Sequence, residues 1–106
     1  MVLDAPRPVM VEFYNIGCLA CVVEAPKLTS VSEAWADRAG FVKISASVTD
    51  LREICGVNAY PTVLIFKDGQ MMRRVLARSY DRETYEQMLT GAMSDPRRAS
   101  TGAGAR

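Results

Sequence analysis

Histidine is absent from this chain of 106 residues, cysteine occurs three times and tryptophan once. A structural zinc site takes four Cys or His ligands, so three candidates leave room only for a metal shared between chains, and no metal site is expected within one. No apolar run approaches the roughly 20 residues that span a bilayer, which removes a membrane helix. Charge of one sign is missing too: 13 Lys and Arg stand against 12 Asp and Glu, a formal net charge of +1. That balance argues against nucleic acid or an anionic membrane surface as a general partner. The short pairs Arg73-Arg74 and Arg97-Arg98 read as solvated surface. The N-terminus, from Met1 to Pro8, has no basic stretch followed by an apolar one, so no secretory signal is expected. A cytoplasmic, reducing setting is the expectation, and there paired cysteines are more often catalytic than structural. The length fits one domain with a single core.

What is present centres on Cys18-Leu19-Ala20-Cys21. The run before it, Val9-Met10-Val11-Glu12-Phe13-Tyr14, is apolar, β-branched and aromatic enough for a buried strand. The run after it spaces Val22, Ala25, Leu28, Val31, Ala34 and Trp35 as a helix would, from Cys21 to about Arg38. A Cys-x-x-Cys at such a junction sets its first sulfur at a helix N-terminus, where unpaired N–H groups and the helix dipole stabilise a thiolate. A thiolate attacks disulfides, and a second thiol one turn on can release the mixed disulfide. Two inert buried cysteines, or half of an intermolecular zinc site, are the competing readings.

Further along, Ala39-Gly40 stops the helix and residues 41–47 read as a second strand. Thr49 or Asp50 caps a short helix through about Cys55, ended by Gly56. Thr62-Val63-Leu64-Ile65-Phe66 is a strand, and Asp68-Gly69 turns it into residues 70–76 as a hairpin. Ser79 or Asp81 caps a last helix through about Met93, with Tyr85, Met88, Leu89 and Ala92 on one face. Residues 95–106 are mostly Pro, Gly, Ala, Ser and Arg with little to bury, so residues 1–94 are expected as the domain and 95–106 as a disordered tail. The order β-α-β-α-β-β-α gives two crossovers and an antiparallel hairpin. A mixed four-stranded sheet with helices on both faces accommodates it.

Four features beyond the Cys pair now combine: Val11-Glu12-Phe13-Tyr14 before it, Pro26 five residues after Cys21, Tyr60-Pro61-Thr62, and Phe66-Lys67-Asp68-Gly69. Over about residues 8–89 the chain resembles the thioredoxin family, and the Glu12-Phe13-Tyr14 strand is closest to the protein disulfide isomerase branch. The resemblance implies a thioredoxin-like α/β fold and a thiol–disulfide oxidoreductase with no cofactor beyond a redox-active Cys18–Cys21 disulfide. It implies Cys18 as the attacking thiolate and Cys21 as the resolving thiol. Glu12 would take the proton from Cys21, paired near the sulfurs with an inward-pointing Lys43; an exposed carboxylate on an edge strand is its plainer reading. It also implies a cis Tyr60–Pro61 bond, with Gly17, Leu19, Ala20, Tyr60, Pro61 and Thr62 along the substrate path. Partners would be protein disulfides and a thioredoxin reductase-type or other dithiol donor. An oxidase or isomerase role stays open.

The chain also departs from the family. Gly17 stands where a tryptophan is usual and Leu19-Ala20 where Gly-Pro is usual, which opens the rim and loosens the turn. Ala77 replaces a glycine near the site, and its methyl is expected to narrow the peptide groove. Cys55 reads as a small buried hydrophobe, with a regulatory or dimer-forming thiol as the other reading. The family's first strand and helix have no counterpart before Pro8, which leaves residues 41–47 as a sheet edge. That edge is a candidate for pairing with Met1 to Asp4 or with a second copy in a homodimer. These departures support a rival from another class, a redox-weak binding or chaperone-like module on the same fold.

Overall fold

The computed structural model describes residues 7–47, 50–78 and 80–93, with only the backbone described at 51 and 52. In chain order the elements are β1 (Val9–Tyr14), α1 (Leu19–Ala34), β2 (Gly40–Ser45), α2 (Leu51–Ile54), β3 (Thr62–Lys67), β4 (Gln70–Leu76) and α3 (Arg82–Met93). The expected tail and the Thr49 and Ser79 caps lie outside the described residues. Asp81 does cap α3: its Oδ1 accepts the Thr84 N–H at 3.0 Å and the Thr84 hydroxyl at 2.7 Å.

The sheet runs β2-β1-β3-β4. β1 pairs parallel with β2, Glu12 opposite Lys43, and antiparallel with β3, Glu12 opposite Val63. Central position explains why every residue of β3 is buried and why β1 is almost wholly so. At the hairpin, Asp68 (φ 53°) and Gly69 (φ 77°) both take the left-handed region that a tight two-residue connection demands.

Period-2 alternation divides the core in two. Met10, Val63 and Ile65 point to one face and meet Leu28, Val31 and Trp35 of α1 and its end, and Tyr85, Met88 and Leu89 of α3. Val9, Val11, Phe13, Leu64 and Phe66 point to the other, where Val57, Cys55 and Tyr60 pack. Each fully buried Leu, Val or Phe contributes about 1.5–3 kcal/mol. α1 and α3 pack on the first face; on the second, the short helix α2 leads into Cys55, Val57 and Tyr60, which pack there, while Ile54 faces solvent.

Helix α1 also differs from its sequence reading. It starts two residues early, at Leu19, and buries Cys21, Glu24, Leu28 and Val31, leaving Val22 67 % exposed. The stripe is rotated because Cys21, one turn after the cap, must face inward, and Glu24 follows it three residues on. Pro26 lies inside the helix and has no N–H to give the carbonyl of Val22.

Candidate active site

The site is assembled where β1 ends and α1 begins. Gly17 has φ +79°, the left-handed region that a residue with a side chain rarely takes, and nothing lies within 4 Å of where its Cβ would be. The backbone turn, not crowding, therefore requires glycine before Cys18. Cys18 is the N-cap of α1, with extended backbone (φ −90°, ψ 108°), and its Sγ accepts the Cys21 N–H at 3.2 Å. Thus one of the helix's orphan N–H groups is satisfied by a sulfur rather than by the usual oxygen.

The two thiols differ sharply. Cys18 is half-buried and Cys21 is buried, and both are free of disulfide bonding. Burial first, then the bond to Cys18, pushes the Cys21 thiol up to about 11. Cys21 therefore holds its proton at neutral pH and needs a base to become a nucleophile. The Cys18 thiol in turn faces the Tyr60 carbonyl at 3.7 Å, across the cis Tyr60–Pro61 bond. The guanidinium of Arg78 donates to that same carbonyl at 2.8 Å.

Of the residues expected along the substrate path, Gly17 and Leu19 are exposed, and Ala20 and Tyr60 are half-buried. Pro61 and Thr62 are buried, the Thr62 hydroxyl donating to the Ala59 carbonyl at 2.7 Å. Ala77 departs from its expectation: it is wholly buried in the α1–α3 core and its N–H donates to the Pro61 carbonyl at 2.8 Å, so its methyl does not narrow a groove. Cys55 is half-buried beside the second core. Its carbonyl and that of Gly56 both accept from Arg74.

An open cleft of ≈ 390 Å³ runs beneath the sulfurs, lined by Glu12, Tyr14, Gly17, Cys18, Cys21 and Lys43 among others. A second hollow of ≈ 120 Å³ continues along α1 and β2 past Met10 and Phe41, and Glu12 and Lys43 border both. Glu12 is 7 % exposed, and its Oε2 is buried without a hydrogen-bond partner. Burial raises its carboxyl above the ordinary carboxylate range; Lys43 pulls it back down and Glu24 pushes it up.

Helix α1 itself holds a second buried glutamate. Glu24 is 1 % exposed and accepts the Tyr85 hydroxyl at 2.6 Å and the Lys27 ammonium at 3.0 Å. Lys27 also donates to the Tyr80 carbonyl at 2.6 Å, and the Tyr80 and Tyr85 rings meet edge to face at 5.8 Å. Burial, and then the bond to Glu24, hold the Tyr85 hydroxyl far above its usual range, so it stays a donor.

A capping sulfur, a buried partner thiol and a cis-proline loop thus meet at one point of the fold. The thioredoxin family model matches residues 1–90. The chain belongs to the thioredoxin family. Thioredoxin 1 of Synechococcus elongatus is 30 % identical over 76 residues, 71 % of each chain. Thioredoxin C-2 of Corynebacterium nephridii is 35 % identical over 72 residues, 67 % of each. In fold, the crystal structure of Malassezia sympodialis thioredoxin superposes with a TM-score of 0.76 at 23 % identity, covering 88 % of this chain and 81 % of that one. With its family, the chain is a dithiol–disulfide oxidoreductase carrying a redox Cys-x-x-Cys at Cys18 and Cys21.

Within this thioredoxin-family site one expected contact does not form. Lys43 is exposed, with its Nζ 4.8 Å from the centre of the Tyr14 ring, and no ion pair joins it to Glu12. Register alone places the two side by side. A flexible four-carbon stem lets the ammonium reach water and an aromatic face, and so avoid desolvation. Two residues escaped the sequence reading: Glu24, hidden inside a helix whose apolar spacing appeared complete without it, and Arg78, which no local pattern marks.

Proposed function

We propose that the chain reduces protein disulfides, Cys18 attacking and Cys21 resolving. The supporting observation is the asymmetry of the pair: a half-buried capping sulfur beside a buried thiol pushed up to about 11. The Cys18 thiolate attacks one sulfur of the target disulfide, whose other sulfur leaves as a thiolate and takes up a proton. Cys21 then gives its proton to the Glu12 carboxylate and attacks the Cys18 sulfur. The second substrate thiolate leaves, and the chain is left as the Cys18–Cys21 disulfide, two electrons poorer. A carboxylate raised by burial is a stronger base than an exposed one, and both groups border one cleft. Lys43 acts through space, holding Glu12 toward its charged form. The Tyr60–Pro61–Thr62 backbone, Leu19 and Ala20 would meet the bound segment. A reductase-type dithiol donor restores the pair, and no cofactor beyond it is needed. A reducing compartment such as the cytoplasm suits this direction.

Limiting alkylation with mass mapping, joined to insulin reduction with a thioredoxin reductase-type donor, tests the proposal. Cys18 should label ahead of Cys21 and Cys55, with turnover of insulin. Preferential labelling of Cys21, or free thiols that never turn over, would instead favour a binding or chaperone-like module.

The same reading places a homodimer, if one forms, at the β2 edge. There, pairing along residues 41–47 leaves Cys18 free at the C-terminal end of the neighbouring strand. Light scattering and amide exchange decide it: a monomer with fast exchange across β2 discards the dimer.

A further inference from the structure

We propose that Arg78 selects substrates, favouring protein disulfides with a carboxylate beside the cysteine under attack. The proposal rests on the disulfide-exchange reading of Cys18. Arg78 follows β4, and its guanidinium donates at 2.8 Å to the one carbonyl, that of Tyr60, which the Cys18 thiol also faces at 3.7 Å. A guanidinium carries five donors in a rigid fork, and this contact uses one. The residue is exposed, and no carboxylate pairs with it among the described residues.

The surroundings sharpen the preference. β1 lies between β2 and β3 in the sheet, so the Cys18 loop that follows it has Lys43 on one side and Arg78 on the other. Both cations are exposed, and the single carboxyl lining the cleft, Glu12, is buried. Around Cys18 in the chain stand Ile16, Leu19 and Val22, exposed by 78 %, 76 % and 67 %. A peptide segment arriving at Cys18 thus meets apolar side chains in the middle and positive charge at each flank. A planar carboxylate beside the target cysteine matches the free fork of Arg78 in a way a lone amide does not.

Exposed charge pairs are worth little and are screened by salt, so the expected preference is modest. Three disulfide-bonded peptides differing only in Asp, Asn or Lys beside the cysteine measure it. At low salt the Asp peptide should be reduced about two- to fivefold faster than the Lys peptide, mostly through KM. The ratio should fall toward one in Arg78→Gln, fall part of the way in Arg78→Lys, which keeps the charge but loses the fork, and fade for the unmodified chain at ~0.5 M salt. A ratio at or below one, a ratio independent of salt, or the same ratio in Arg78→Gln overturns the proposal. If none of the three peptides is reduced, the exchange activity itself fails and the selector falls with it. If all are reduced alike, only the role of Arg78 falls.

Discussion

The two buried glutamates of this chain occupy opposite kinds of ground. Glu24 has Tyr85 on one oxygen and Lys27 on the other, and through them ties α1 to α3 and to the loop before it. Glu12 lies on the central strand under the sulfurs, next to hollow space, with one oxygen unsatisfied and its nearest cation turned away. A buried charge with partners braces a fold; one without partners is a liability unless chemistry uses it. The contrast fits a structural role for Glu24 and supports the proposed proton handling by Glu12.

The contrast breaks most visibly at Glu24. Replacing it by Ala strands the Lys27 ammonium and the Tyr85 hydroxyl and should cost about 3–5 kcal/mol, read as a shifted urea midpoint at unchanged slope. A loss under about 1 kcal/mol would mean that the network does not brace the helices.

Glu12→Gln should do the reverse. The resolving step should slow on the order of 100-fold while the rate of Cys18 alkylation is nearly kept, measured by stopped-flow release of a mixed disulfide. Its stability effect has a definite pH course. The Glu12 carboxyl is raised above its ordinary 4.5 by burial, so the folded state favours the proton. The stability this gives is fully present below about pH 4.5 and is lost as pH rises through the folded-state value. Glu12→Gln should therefore equal the unmodified chain near pH 4 and grow more stable relative to it as pH increases. Equal stability from pH 4 to 9 would place Glu12 in contact with water.

The smallest effect is expected at Tyr85. Tyr85→Phe removes one hydrogen bond to a buried carboxylate, about 1.5 kcal/mol, and should leave the resolving rate alone. Paired with Glu24→Gln in a double-mutant cycle it should show coupling of at least ~0.5 kcal/mol; additivity would break the brace.

Much of this was written locally in the chain. The Asp68-Gly69 turn, the Asp81 cap and the β-branched run at Thr62 each carry their own geometry in a few neighbouring residues, and all appear where the sequence puts them. The Cys pair was legible for the same reason. What was not legible depends on rotation or reach. The inward face of α1 is set by Cys21, which carries Glu24 into the core and Val22 out of it, and apolar spacing cannot report that choice. Lys43 was placed correctly in register, but a lysine stem chooses its direction by solvation. Arg78 meets the site across eighteen residues of chain, a distance over which sequence pattern carries no signal.

The position of the single tryptophan gives the molecule a convenient optical property. Trp35 closes α1 at the end opposite Cys18, is 6 % exposed, and carries the Arg38 guanidinium 4.0 Å above its ring. Seventeen residues of helical rise separate it from the capping sulfur, about 25 Å. Its emission is therefore expected to follow the opening of the α1–α3 core and to change little when the sulfurs change oxidation state. Folding can thus be read by light in either redox form without one signal contaminating the other.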